Sequence, residues 1–295
     1  MIERYFKYLF CIVVVISTCC SCSNTREKLL VSGCGWKQVA ILDKKTGEIE
    51  WSHPLNKGED CNDVEITREG NILYAYTSGA RMITRDQQTV WDFKAKKGEE
   101  LFTATQLSSG HYMLAICGTP SRIIELDPQG HPVEEIKFDT SITGVHDQFR
   151  QIIKTPQNTY LIPLMGKGEV VEMTKEKEII NRVECGGNPF AIQILKNGNW
   201  LVSCGDAHNF VEIAPAGKQI VRKVGSDDLQ NISLLFVAEL VRYDNGNTLI
   251  SNWNGHSKDK SQPLLVEITP DNTVVWALPL HQDIINISAV YSFRE

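Results

Sequence analysis

A turn followed by an apolar run recurs along the chain at nearly constant spacing. Each turn is made by glycine or asparagine, and each run combines aliphatic, β-branched and aromatic residues. Successive copies lie roughly 40 to 48 residues apart, which is the length of one four-stranded propeller blade. Because no helical periodicity appears inside the repeat, it predicts a β-propeller. The clearest turns are Gly70 with Asn71, Gly110, Asn158, Gly198 with Asn199, and Gly246 with Asn247.

The two ends of the chain determine the number of blades. After residue 28 come three strand-like segments, 29–31, 38–42 and 48–51, which have no innermost partner. Residues 288–293 form one strand-like segment without a blade. Joining these segments completes a sixth blade and removes an open sheet edge. We therefore predict an all-β fold: a six-bladed β-propeller of four-stranded blades over residues 29–295, closed by the C-terminal strand joining the N-terminal blade.

Helical structure has little support in the sequence. Outside the first residues, no window places apolar residues at i, i+3, i+4 and i+7 over three turns. Residues 229–240 come nearest to this pattern. We expect a short helical insertion there, before the sixth blade.

The N-terminal segment has the composition of an export signal. Arg4 and Lys7 precede an apolar run at 8–16, and small residues and cysteines follow. A basic start, a short apolar run and a small-residue end are typical of a secretory signal peptide. The run is shorter than the roughly 20 residues needed to span a bilayer. We predict a signal peptide at 1–22 and a short tether at 23–28.

The cysteines at the end of this segment resemble the lipobox of bacterial lipoproteins, in which the first mature residue is a lipid-modified cysteine. Cys22 is preferred because Ser21 precedes it and polar residues follow it, and Cys19 is the alternative. An ordinary signal peptide or an uncleaved N-terminal anchor would explain the segment otherwise. The lipobox predicts an exported protein of the bacterial cell envelope, attached to a membrane through an N-terminal lipid and facing the periplasm or the cell surface.

The net charge and the cysteine content limit what the protein can bind. The net charge is −6 and no basic run is present, so we predict no nucleic-acid partner, because binding to phosphates needs a positive surface. The cysteines beyond the leader are odd in number and lack metal-ligand spacing. We interpret them as small buried residues at strand ends and predict no metal. They are Cys34, Cys61, Cys117, Cys185 and Cys204.

Residues 43–51 read D-x-x-T-G-x-x-x-W. This resembles the docking motif of quinoprotein-type propellers. The resemblance implies that Asp43 caps the Thr46–Gly47 turn and that Trp51 packs between adjacent blades. Partial copies occur in the second and sixth predicted blades. That family has eight blades, a calcium site and an adjacent cysteine pair, and the one adjacent pair here lies in the leader. The motif therefore implies fold and blade packing, and no cofactor is predicted.

A second resemblance lies at 145–150 and 155–161. It is similar to the H-D-x-x-x-L-P-N-G-N-x-L blade motif of arylsulfotransferase-like propellers, in which a central histidine serves catalysis. It implies that His146 acts as nucleophile or general base, oriented by Asp147 or a neighbour. Arg150 would hold an anionic group in bidentate fashion. The alternative is a histidine that makes ordinary hydrogen bonds in a polar channel.

The topology of a propeller predicts which residues lie together on a binding face. The segments that lead into the innermost strands, and the loops between the second and third strands, gather on one face. Aromatic rings beside amides suit a glycan or small polar ligand, and equally a protein-binding surface. The predicted ligand-binding residues are Asn62, Asp63, Phe102, His146, Gln148, Asn188, Phe190, Phe236, Trp36, Arg122, Asp206, His208, Trp253 and Asn254. The same loops also contain Arg81, Lys167, Asn209 and His256.

Two functional hypotheses follow. The first is an exported, lipid-anchored propeller that binds a small polar ligand, glycan or protein partner on one face, without catalysis of its own. The alternative is an arylsulfotransferase-like or other propeller enzyme that works through His146 with Arg150.

Overall fold

The computed structural model describes residues 25–295, which form six antiparallel sheets of four strands each. The strands of the first three blades are β1 Glu27–Gly33, β2 Trp36–Asp43, β3 Ile49–Pro54, β4 Cys61–Ile66, β5 Ile72–Tyr76, β6 Gly79–Ile83, β7 Thr89–Lys94, β8 Glu100–Gln106, β9 Tyr112–Cys117, β10 Ser121–Leu126 and β11 Pro132–Phe138. The strands of the remaining blades are β12 Ile153–Lys154, β13 Tyr160–Leu164, β14 Glu169–Met173, β15 Ile179–Glu184, β16 Ile192–Ile194, β17 Trp200–Ser203, β18 Asn209–Ala214, β19 Gln219–Gly225, β20 Val237–Arg242, β21 Thr248–Asn252, β22 Leu265–Ile268, β23 Val274–Ala277 and β24 Ala289–Arg294.

The sheets are the blades of one ring. Blade 1 has the strand order β24-β1-β2-β3, and blades 2 to 6 are β4–β7, β8–β11, β12–β15, β16–β19 and β20–β23. The first strand in each of these orders is the innermost one. Four turns of 3-10 helix, at Val145–Asp147, Met165–Lys167, Pro215–Gly217 and Ser226–Asp228, are the helical elements of residues 25–295. The all-β, six-bladed propeller of four-stranded blades is thus confirmed.

The repeated turns work because their glycine or asparagine adopts a left-handed backbone. At the β4–β5 turn, Gly70 has φ +82° and its N–H donates to Thr67 O at 2.9 Å. In blade 4, Asn158 takes the same place with φ 64°. Glycine has no Cβ to clash there, and asparagine tolerates this region better than most residues. The turn residues therefore set the start of each second strand.

The ring closes through the last strand. β24 pairs antiparallel with β1, from Glu27 opposite Arg294 to Ser32 opposite Ala289. Beyond these pairs, Arg26 and Glu295 exchange backbone hydrogen bonds of 2.7 and 3.1 Å. The predicted closure is confirmed, and β1 begins two residues before the predicted start of the propeller at residue 29.

The hydrophobic core lies between the blades. Six clusters of buried side chains each combine residues from two neighbouring blades. The implied role of Trp51 is confirmed, since its indole N–H donates to Arg85 O of blade 2 at 2.9 Å. Asp43 caps its turn by accepting from the N–H of Thr46 at 2.9 Å. In blade 2, Trp91 packs on Tyr112 of blade 3, with ring centroids 5.3 Å apart.

The predicted helical insertion at 229–240 is wrong. The one helical turn nearby, Ser226–Asp228, ends before it, and β20 begins at Val237, within its last third. Leu229, Leu234 and Leu240 instead fill the core between blades 5 and 6. Their helix-like spacing arises because an irregular segment and a strand both face the same core.

The predicted leader lies outside the described residues. This holds for the signal peptide at 1–22, with Cys19 and Cys22, and for residues 23 and 24 of the tether. The last two residues of the predicted tether, Glu27 and Lys28, already belong to β1. Among residues 25–295, no helix is long and apolar enough to cross a membrane.

Removal of the last eight residues, 288–295, should abolish cooperative folding rather than trim a tail. The deletion removes β24 with its buried Ala289 and Val290, and it leaves the edge of β1 unpaired. Thermal unfolding of the purified protein measures this, and deletion of Glu295 alone serves as the control. A soluble truncated protein that melts like the full chain would contradict ring closure by β24.

Candidate functional site

A pocket of about 420 Å³ lies on the ring axis, at the end where the innermost strands begin. All six blades contribute to it, because the residue that precedes or opens each innermost strand faces the axis. Loops between second and third strands complete the rim. We call this cavity the central pocket; it is lined by Cys34, Asp60, Asn62, Thr77, Glu100, Phe102, His146, Asp147, Arg150, Met165, Asn188, Phe190, Asp206, Phe236, Trp253, His256 and Ser288.

Blades 5 and 6 give the central pocket an aromatic wall. The Phe236 ring meets Phe190, Trp253 and His256 edge-on, with centroids 5.2, 5.1 and 5.6 Å apart. Edge-to-face contacts of this kind add to the stabilisation from burial. Gly205 lies directly against Phe236, since a Cβ at residue 205 would come within 2.9 Å of the ring. The wall is therefore fixed in place by packing.

Arg150, which precedes the innermost strand of blade 4, lies beside this wall. Its guanidinium carbon lies 4.0 Å from the centre of the Phe102 ring and 5.6 Å from that of Phe190. Nη1 donates to the backbone oxygens of His146, at 2.5 Å, and Phe149, at 2.9 Å. Burial lowers the pKa of Arg150 from its ordinary value. These contacts hold a desolvated positive charge at the pocket surface.

Two histidine–carboxylate pairs stand on the rim. His146 Nδ1 lies 2.8 Å from Glu100 Oε2, and His256 Nδ1 lies 3.0 Å from Asp206 Oδ1. Both imidazoles are largely exposed, at 68% and 61% of the side chain. The partner that orients His146 is thus Glu100 of blade 3 and not its chain neighbour.

Acidic groups outnumber basic ones around the central pocket. The lining contains one arginine, two histidines and the carboxylates of Asp60, Glu100, Asp147 and Asp206. Lys37 pairs with Asp60 from outside the lining. The rim of the central pocket is therefore acidic, and Arg150 is its one buried cation.

Eight of the fourteen predicted ligand-binding residues line this cavity, as does Arg150. They are Asn62, Phe102, His146, Asn188, Phe190, Asp206, Phe236 and Trp253. His256, which belonged to the wider set of loop residues, also lines it. Asp147, named in the sequence only as a partner for His146, lines it too. Sequence reasoning missed Cys34, Asp60, Thr77, Glu100, Met165 and Ser288 as pocket residues. A usable signal existed for Asp60 and Glu100, since each stands two positions before a predicted pocket residue.

Three predicted residues are structural instead. Arg122 bonds Glu99 and Glu135 inside blade 3. Gln148 is buried and its amide bonds Gly118 and Ser121. Trp36 is also buried and donates to the backbone oxygen of Asp283 at 2.8 Å. Their polar groups are satisfied within the protein, so they do not line the pocket.

The other three predicted ligand-binding residues also lie outside the central pocket. Asp63 turns into the channel below the pocket, where it accepts from the N–H of Ala104 at 3.0 Å. His208 lies in a tight turn with φ 57° and contacts the Leu235 carbonyl. Asn254 lines a separate cavity.

Within the wider set, Arg81 pairs with Glu59, Lys167 lines a groove between blades 3 and 4, and Asn209 is buried.

Below the central pocket, carboxyl groups from blades 2 and 6 meet in the channel. Glu239 accepts from the N–H of Val290 at 2.6 Å and from the amide of Gln151 at 3.1 Å. Burial raises the pKa of Glu239 to about 8. Burial, and then the nearby Glu239 charge, also raise the pKa of Asp63. At neutral pH the Glu239 carboxyl group is therefore mostly protonated.

The free energy of unfolding should fall as the pH rises through the window set by Glu239. From about pH 4.5 to about pH 8, the native protein keeps the Glu239 proton while the unfolded chain has released it. Replacement Glu239→Gln removes the ionisation and keeps the shape, so it should raise Tm more at pH 8 than at pH 5. Thermal unfolding across this pH range measures the difference.

Glu176→Gln, on an exposed turn, is the matched control and should leave the profile unchanged. A Glu239→Gln protein with the same loss of stability between these pH values as the parent would contradict the assignment.

The five cysteines of residues 25–295 are free thiols. Cys34 is exposed at the rim of the pocket and the other four are buried. Burial raises the pKa values of Cys61 and Cys117 to about 12. The Cys204 thiol lies 3.8 Å from the carbonyl oxygen of Cys185. The interpretation as buried strand-end residues is confirmed for four of the five.

Alkylation of the native protein should modify Cys34 and spare the four buried thiols. A reagent must reach the sulphur before the thiolate can react, and the four buried thiols are shielded from it by packing. Iodoacetamide labelling at alkaline pH, followed by peptide mapping of residues 25–295, measures this. Labelling in denaturant is the control and should modify all five. Rapid native labelling of Cys61 or Cys117 would contradict the packing described above.

Together, fold and site define the class: a six-bladed β-propeller with a ligand-sized pocket where its innermost strands begin. The chain belongs to the Mal s 1 allergenic protein-like family, whose family model matches residues 20–273. No curated protein shows significant similarity to the chain.

Solved structures place the chain among propellers. A protein of unknown function from Bacteroides caccae is 41% identical, with a TM-score of 0.87, over 92% of this chain and 100% of that one. A catalytically inactive virginiamycin B lyase from Staphylococcus aureus, solved with quinupristin, is 11% identical, with a TM-score of 0.60, over 88% and 87%. A chain of a nidogen/laminin complex is 9% identical, with a TM-score of 0.64, over 90% and 98%. The last two show the fold alone.

Proposed function

We propose that the protein binds a small polar ligand in the central pocket, without catalysis of its own. The observation that carries the proposal is the pocket, to which all six blades contribute fixed side chains. Its volume of about 420 Å³ lies within the usual range of small-molecule sites, roughly 300 to 1,000 Å³. Apolar rings beside a few polar groups are the composition that such sites share.

A concave site favours a small ligand, or one sugar unit of a glycan, over a protein surface. Phe236 is only 5% exposed and Arg150 only 7%. A flat partner would contact the rim and not reach these groups. The protein-partner alternative would instead use exposed rim residues such as Asn188 and His256.

One observation favours an enzyme as the second candidate. His146 is paired with Glu100 at 2.8 Å, and a carboxylate that orients an imidazole is a common arrangement for a general base. His146 also stands beside the buried Arg150, whose Nη1 it contacts through its backbone oxygen. A propeller enzyme would use this pair against a ligand held by Arg150.

The propeller is further proposed to be exported and held at a membrane of the bacterial cell envelope by a lipid on Cys22 or Cys19. The basic start, short apolar run and small residues of the leader support this. The pocket would then face the periplasm or the cell surface. Metabolic labelling with a fatty-acid analogue, compared between the parent chain and Cys22→Ala or Cys19→Ala, tests the anchor.

A thermal-shift screen of metabolites and glycans should produce ligands whose effect depends on the aromatic wall and not on His146. A ligand at a hundred times its dissociation constant stabilises by about 2.7 kcal/mol. Phe190→Ala removes one ring of the wall and should weaken binding about tenfold or more, since aromatic contacts are worth about 1 kcal/mol beyond their burial. His146→Ala should leave binding largely intact.

Val275→Ala, on an exposed outer strand, is the control for non-specific loss. Conversion of a bound compound by the parent protein, abolished in His146→Ala, would establish the enzyme instead. A screen in which no compound shifts the melting temperature would favour the protein-partner alternative.

A further inference from the structure

Three arginines are almost fully buried, and one of them lacks a counterion. Arg81, Arg122 and Arg150 are exposed by 7, 5 and 7%. Arg81 contacts Glu59 and Asp92, and Arg122 contacts Glu99 and Glu135. Within residues 25–295, no carboxylate lies within 4 Å of Arg150. A buried charge is costly unless it is paired, so Arg150 is set up for a partner outside the chain.

The free donors of Arg150 define where this partner binds. Nη1 is occupied by the backbone oxygens of His146 and Phe149. In the part of the chain that the structure describes, Nε and Nη2 have no acceptor. Neither nitrogen belongs to the fully buried polar atoms without a partner, so both remain accessible on the pocket side.

The aromatic neighbours leave one edge of the guanidinium open. The Phe102 ring covers it at 4.0 Å, and Phe190 lies at 5.6 Å. The parallel N–H groups of Nε and Nη2 form the fork that binds a carboxylate with two hydrogen bonds. Lysine would offer only a point charge at this position.

The rim limits the charge of the ligand. Asp60, Glu100, Asp147 and Asp206 surround the single arginine, and like charges at this range repel a multiply charged anion. The carboxyl groups of Asp63 and Glu239 lie deeper in the channel and offer no positive charge. A singly charged group, attached to an apolar body that packs on the Phe190–Phe236–Trp253 wall, is the best match.

We infer that the ligand is a small organic monocarboxylate with an apolar or aromatic body, and that its carboxylate binds Nε and Nη2 of Arg150. This rests on the proposed function, because it specifies the chemistry of the same pocket. The bond is a charge-assisted ion pair, and no covalent step is involved.

Isothermal titration of the full chain with matched acids and amides tests the inference. The probes are phenylacetate, indole-3-acetate and octanoate, each beside its uncharged primary amide, and inorganic phosphate. At least one acid should bind about tenfold or more tightly than its amide, because hydrogen bonds to charged groups are about twice as strong as neutral ones. Phosphate should bind more weakly than that acid.

Substitutions of Arg150 test whether its guanidinium binds the carboxylate of the ligand. Arg150→Gln should reduce acid affinity about 10- to 100-fold and leave amide affinity nearly unchanged, and Arg150→Lys should recover part of the loss. Arg182→Gln, whose side chain is 47% exposed, is the matched control. Near-ultraviolet circular dichroism reports whether each variant keeps its tertiary packing, and the acid–amide comparison on the parent chain needs no variant.

The outcomes separate this inference from the proposed function. Equal affinity for acids and amides, lowered by Phe190→Ala but not by Arg150→Gln, would overturn the monocarboxylate and leave the pocket in use. Tighter binding of phosphate than of every acid would overturn the limit to a single charge. If neither acids nor amides bind, the inference fails, and the proposed function then depends on the broader screen.

Discussion

The pairing of β24 with β1 is the constraint on which the rest of the structure depends. Every innermost strand needs neighbours on both sides round the axis, and five blades alone would leave a gap in that ring. The backbone ladder from Glu27 to Ser32 supplies the sixth innermost strand, and the core clusters between blades 1 and 2 and between blades 1 and 6 form on it. Only a closed ring brings residues from six blades to one pocket.

The central pocket combines two electrostatic features that would each be unusual alone. Arg150 is buried without a carboxylate partner, while carboxylates crowd the rim around it. Below it, the raised pKa of Glu239 reflects a channel too desolvated to hold a charge easily. The groups described below Arg150, the carboxyl groups of Asp63 and Glu239, offer an anion no positive charge. Under the proposed function, this arrangement would hold a ligand at the mouth of the channel and keep its charged end out of the interior.

The fold was largely predictable from sequence because turn chemistry and strand length repeat together. The pocket was half predictable, since any residue that opens an innermost strand faces the axis. Asn62 and Asp63 show the limit: adjacent residues of a strand face opposite ways, and a bulge at this point decides which one reaches the pocket. The pairing of His146 with Glu100, or of Arg122 with Glu99, joins residues far apart in sequence. Only packing distinguishes a free arginine from a paired one. Neither family resemblance named the Mal s 1-like family, although both indicated a propeller.

The position of β1 between β2 and β24 also has a mechanical consequence. Tension applied through the N-terminal segment runs along β1, parallel to its strand axis. Its hydrogen bonds to both neighbours are then loaded in shear, all at once, and not peeled open one after another. A force applied at the N-terminus is thus resisted by the hydrogen bonds of β1 to both β2 and β24. A pulling force on the propeller would be shared by all the hydrogen bonds that β1 makes in blade 1 before any one of them breaks.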